Sequence, residues 1–126
     1  MNNVEEFYLD NGLRVFLKED KFSPVSSIFV WVNTGSAYEN DFERGLAHVH
    51  EHMIFKGTEK LKVGEISKQI EAHGGEVNAF TSFDETVYYT TISNSFIDVG
   101  FDILSDCMSN ATFNEDELAK ELEVII

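Results

Sequence analysis

The sequence predicts an α/β fold of the α+β type, a sheet packed with helices, and three observations carry that expectation. Runs rich in β-branched and aromatic residues, Val25 to Val32 and Glu85 to Ser93, read as strands. From Gly45 onward the apolar residues recur at three and four positions, the period of an amphipathic helix. Hydrophobic residues make up 43% of the 126 positions, while there are only eight glycines and one proline, so the chain can build a core and is not composed like a disordered segment. That length suits one modest domain or a piece of a larger one.

In chain order, Glu6 to Leu9 and Leu13 to Lys18 flank the turn Asp10-Asn11-Gly12, a hairpin signal because Asn-Gly tolerates positive φ. Val25 to Val32 becomes continuously apolar in its second half, which predicts a strand buried on both faces near the sheet centre. Gly45 to Lys56 predicts a short helix with Leu46, Val49 and Met53 on its apolar side and Gly57 as its stop. Val63, Ile66 and Ile70 mark a second helix ending at Gly74-Gly75. Val77, Ala79 and Thr81 then alternate as in a strand, and Glu85 to Ser93 follows at hairpin distance. Ser95 with Asp98 predicts a capped helix carrying Ile97, Phe101, Leu104 and Met108, and Asn114 with Glu117 another carrying Leu118, Leu122 and Ile125. With no stop signal before Ile126, this last helix reads as interrupted, and residues 1–126 as a partial amino-terminal domain of a longer protein.

Lys and Arg number 9 against 23 Asp and Glu, a net charge of −14 that argues against nucleic acid as a partner and favours cationic peptides over anionic ligands. The lysines at 56, 60, 62 and 68 read as a solvated face. The longest apolar run, Ile28 to Val32, is far short of the roughly 20 residues that span a bilayer, so no membrane segment is expected. Met1 to Leu9 places Glu5 and Glu6 where a secretory signal has basic residues. A lone cysteine, Cys107, forms no internal disulfide and fits a cytoplasmic setting, with the mitochondrial matrix as the alternative.

The chemistry concentrates in His48-Val49-His50-Glu51-His52, which holds three of the four histidines. On a helix, His48 and His52 share one face at i and i+4, with Glu51 beside them. Neutral imidazole suits Zn²⁺, and a catalytic zinc takes three protein ligands and leaves one position for water. The bound ion lowers the pKa of that water to about 7, and Glu51 stands ready to take the proton as hydroxide attacks a carbonyl. The order H-x-x-E-H inverts the zincin H-E-x-x-H, and Ile54 rules out the uninverted reading. His50 falls on the opposite side of the helix and should pack or hydrogen-bond there. His73, next to Gly74, fits a helix carboxyl end, and Cys107 fits a core position beside Leu104 and Met108.

Asn11-Gly12-Leu13, Val30-Trp31-Val32 with Gly35-Ser36, Gly45-Leu46-Ala47-His48, Glu51-His52-Met53, Phe55-Lys56-Gly57-Thr58, Gly74-Gly75 and Asn78-Ala79-Phe80-Thr81 together resemble the pitrilysin and mitochondrial-processing-peptidase family of zinc metallopeptidases. The blocks span nearly the whole chain in order. The resemblance implies that His48 and His52 bind zinc, that Glu51 is the general base, and that Glu121 supports the site. It also implies a zinc-binding glutamate at position 128, two residues past Ile126. Gly75 to Thr81 would be a sheet edge that receives a substrate peptide by β-augmentation, with Asn78 and Ala79 contacting its backbone. The implied enzyme is a zinc metalloendopeptidase acting on peptides or unfolded polypeptides. Its carboxy-terminal half would complete the site, a homo- or heterodimer is possible, and residues 1–126 alone would be inactive. Two other readings stand beside it: a non-catalytic scaffold or substrate-binding subunit of the same fold, and an acidic binding module with incidental histidines.

Overall fold

The computed structural model describes residues 3–125. The break-off expected at Ile126 lies outside them. Helices and strands are mixed as expected, and both sheets are antiparallel.

Val4–Tyr8 (β1) and Arg14–Lys18 (β2) form a separate two-stranded ribbon with Tyr8 opposite Arg14. Its turn is the expected Asp10-Asn11-Gly12: the Leu9 N–H donates to the Leu13 carbonyl at 2.9 Å, and Gly12 takes φ +88°. The second sheet holds Val25–Val32 (β3), Glu76–Thr81 (β4) and Thr86–Ser93 (β5) in the order β3-β5-β4.

This order overturns the expectation for Val25 to Val32. β5 takes the centre, and β3 is an edge strand whose residues alternate between partly covered and exposed. Ile28 and Val30 face inward, while Trp31 remains 58% exposed on the other face. The apolar outer residues arise from lateral packing along the sheet: Phe29 stacks on Tyr89 at 5.1 Å, and Trp31 meets Phe80 edge-on at 6.4 Å.

Helices Leu46–Ile54 (α1), Glu65–Ala72 (α2), Ile97–Asn110 (α3) and Glu115–Ile125 (α4) complete the fold. Between α2, α3 and β5 lies a cluster of Ile66, Ile70, Ile92, Ile103 and Cys107. A second, of Ile54, Tyr88 and Leu104 with Ile28, Val30 and Ala79 against it, joins α1 and α3 to the sheet. Ends follow local chemistry in two cases. Gly74, at φ +75°, closes α2 with its N–H on the Glu71 carbonyl while the Gly75 N–H reaches the Ile70 carbonyl, a Schellman stop. Asn114 Oδ1 accepts from the N–H groups of Asp116 and Glu117, the expected cap of α4.

Three helical expectations are corrected. α3 begins without a side-chain cap from Ser95, because a 3₁₀ turn over Asn94–Phe96 leads into it. Its buried face holds Gly100, Ile103, Leu104 and Cys107, with Phe101 turned outward: Gly100, whose added Cβ would come within 3.2 Å of Ile28, lets the helix lie close on the sheet. On α1, Leu46 is exposed and the buried residues are Met53 and Ile54. No described helix is long and apolar enough to cross a membrane.

Candidate metal centre

α1 brings the histidine pair together. It begins at Leu46 after Gly45 in the left-handed region, φ +88°, with no side-chain cap of its own. Glu39, from the preceding loop, supplies the cap: its carboxylate accepts the Gly45 and Ala47 N–H groups, each at 2.8 Å. Those donors, Ala47 foremost, hold the Glu39 carboxyl below the usual carboxylate range. The loop is pinned in turn where Gly35 crosses the β4–β5 connection; a Cβ there would stand 2.3 Å from the Ser82 carbonyl oxygen.

From this frame the Nε2 atoms of His48 and His52 face each other at 3.0 Å. Two nitrogens bound about 2.05 Å from one tetrahedral zinc lie about 3.3 Å apart, so the pair needs little adjustment to share an ion. The other ring nitrogen of His52, Nδ1, lies 2.9 Å from Glu121 Oε2 on α4. A histidine that donates one N–H to a carboxylate presents its second nitrogen as a lone pair, the arrangement zinc-binding histidines use. The donor set therefore fits zinc in kind. Among the described residues no group of three His, Cys, Asp or Glu side chains is placed to hold a metal ion.

Glu121 is 8% exposed and spends its second oxygen on Lys56, Nζ to Oε1 at 2.6 Å. Lys56, more than His52, holds the Glu121 carboxyl below the usual range against the opposing effect of burial. Its two oxygens thus serve as acceptors within the protein. Lys56 accordingly leaves the solvated face on which the sequence put it.

Glu51 sits half-buried beside the pair and accepts a hydrogen bond from the Thr81 hydroxyl at the end of β4. Thr81 shares the inward row of the sheet with Val77 and Ala79. As expected, β4 is a sheet edge. Asn78 is exposed on it, and its Oδ1 accepts the Ala79 N–H at 2.8 Å, so the side chain covers a backbone donor of the strand. His50 turns to the opposite side as expected: its Nδ1 lies 3.0 Å from the Tyr88 hydroxyl, and its ring packs on Phe113. Burial lowers the His50 pKa and, with Glu51 adding to it, pushes Tyr88 up to about 12. His73 Nδ1 contacts the Gln69 carbonyl at the end of α2.

Glu39, Lys56 and Thr81 escaped the reading of the sequence as members of the site. Lys56 left a usable sign, since it lies four residues after His52. Thr81 was placed on the peptide-receiving edge but its link to Glu51 left no sign, nor did Glu39, because their partners are distant in the chain.

Residues 14–126 match the family model described as insulinase, peptidase family M16. The chain is 38% identical over 118 residues to the probable mitochondrial-processing peptidase subunit beta of Arabidopsis thaliana, covering 94% of this chain and 22% of that protein. It is 36% identical to the uncharacterized zinc protease YmxG of Bacillus subtilis, over 97% of this chain and 30% of that one. Among solved structures, a protease from Helicobacter pylori superposes with TM-score 0.93 at 34% identity, over 98% of this chain and 30% of that chain. Pitrilysin superposes with TM-score 0.84 at 28% identity, over 91% and 12%. The chain thus spans less than a third of the length of these relatives.

Proposed function

The chain belongs to the insulinase family of peptidases, family M16, and on that premise we propose that it is part of a zinc metalloendopeptidase that hydrolyses peptides or unfolded polypeptides. The observation carrying this reading is the facing pair of Nε2 atoms, 3.0 Å apart, with His52 tied to Glu121 by its other nitrogen. His48 and His52 would hold the zinc, which when bound would activate water and polarise the scissile carbonyl. Glu51 takes the proton of the attacking water and later delivers one to the leaving amine. Glu121 orients His52. Asn78 and Ala79 receive the substrate backbone at the β4 edge, where an entering peptide must displace Asn78 Oδ1 from the Ala79 N–H.

Residues 1–126 alone are inactive in this reading, because three protein ligands are needed and the described residues bring two together. The rest of the parent protein supplies the third, and the parent works as a homo- or heterodimer. We infer a reducing compartment, the cytoplasm or the mitochondrial matrix, for a chain with one buried free thiol. The intact trio of His48, Glu51 and His52 weighs against a non-catalytic subunit.

The test is Glu51→Gln in the full-length parent protein. Turnover of a fluorogenic peptide should vanish while elemental analysis still finds zinc, whereas His48→Ala or His52→Ala should lose the metal. Full activity in Glu51→Gln would overturn the assigned base, and zinc retained at wild-type level by both alanine variants would overturn the ligands.

A further inference from the structure

We propose that Lys56 is a positioning residue for the histidine pair, acting through Glu121. The proposal rests on the reading of His48 and His52 as zinc ligands and adds a residue to which neither the H-x-x-E-H pattern nor the likeness to known proteins assigns a role.

One carboxylate serves two donors here: Glu121 Oε2 meets His52 Nδ1 at 2.9 Å, and Oε1 meets Lys56 Nζ at 2.6 Å. Both donors come from α1 and the residues just after it, while the acceptor stands on α4. A carboxylate held at one oxygen can swing about its last bond; one held at both keeps its plane. Anchoring Oε1 therefore keeps Oε2 directed at His52 Nδ1. With that N–H committed, the Nε2 lone pair of His52 is left facing His48. The ion pair is also compensated: Glu121 is 8% exposed, and a carboxylate so covered is costly without a cation. Lys120, next to Glu121 in sequence, is turned about 100° from it around α4 and pairs with Glu117 at 2.6 Å.

The experiment uses the full-length parent protein, labelled with ¹⁵N-histidine, with variants Lys56→Met, Lys56→Arg and Glu121→Gln and the double variant. In the metal-free protein, Lys56→Met should abolish or broaden the downfield His52 Nδ1–H resonance, and Lys56→Arg, which still donates to Oε1, should keep it. In competition with a chromophoric chelator, Lys56→Met should weaken zinc binding about tenfold, a loss expected when a partner behind a ligand is removed. In the Glu121→Gln background the same change should add nothing. An unaltered resonance and affinity in Lys56→Met would overturn the proposal, as would an equal loss with and without Glu121. Should Lys56→Met not fold, Lys56→Gln replaces it and is expected to lie between methionine and wild type. If the wild-type protein takes up no zinc, the ligand reading fails, while the His52 resonance of the metal-free protein still decides the role of Lys56.

Discussion

Thr81 donates its hydroxyl proton to Glu51, joining the last residue of the edge strand β4 to the carboxylate beside the histidine pair. A peptide lying along β4 and the group proposed to move protons thereby belong to one hydrogen-bonded unit. Through Thr81 the strand orients the Glu51 carboxylate.

Thr81→Val should therefore lower kcat more than it raises KM. A hydrogen bond to a charged group is worth about 2 kcal/mol, so a drop of roughly tenfold or more is expected, with Thr81→Ser retaining most of the rate. Steady-state cleavage of a fluorogenic peptide measures both constants. A pure KM effect would mean that Thr81 serves the strand edge and not Glu51.

Away from the site, buried Asp106 on α3 accepts from the Thr58 hydroxyl at 2.6 Å and from Asn110 Nδ2 at 2.8 Å. Thr58 foremost, then Asn110, lowers its pKa in the folded state. A carboxyl whose folded pKa lies below its unfolded value of about 3.9 stabilises the protein above that value, and the contribution fades as pH falls through the folded pKa. As pH falls below about 4, denaturation midpoints should drop more steeply for the wild type than for Asp106→Asn. Thr58→Val should cost about 2 kcal/mol at pH 7 by urea titration. Equal pH slopes for wild type and Asp106→Asn would show that other groups carry the acid sensitivity.

Cys107 lies fully buried in the cluster with Ile66, Ile70, Ile92 and Ile103, and burial, reinforced by Asp106, pushes its thiol up to about 12. Iodoacetamide at pH 8 should leave the native protein unmodified and alkylate it promptly in denaturant, as mass spectrometry would record. Cys107→Ser should destabilise the fold by about 1 to 3 kcal/mol, because the new hydroxyl enters apolar surroundings. Rapid labelling of the native state would show that α3 opens readily from the sheet.

Much of this was legible along the chain because it depends on neighbours in sequence. The turn at Gly12, the stop at Gly74, the cap at Asn114, and the convergence of His48 and His52 each follow from local φ preferences or from 3.6 residues per turn. The α+β class followed too, whereas the β4 edge was implied only by the resemblance to a known family. Local apolar content misled where lateral packing decides exposure. Val25 to Val32 has the composition of a central strand, yet the centre went to β5, which β3 and β4 flank, so Phe29 and Trp31 find partners beside them in the sheet.

What the amino-acid sequence determined by itself is the trio His48, Glu51 and His52 on one helix, since spacing within a helix is dictated by the backbone alone. What only the tertiary structure decided is how that trio is held. Glu39 caps α1 from eight residues away, Thr81 meets Glu51 across 30 residues, and Glu121 reaches His52 across 69. Contacts at such separations exist because α1 is packed against both β4 and α4, and no periodicity along the chain encodes which side chains that packing brings within hydrogen-bond reach.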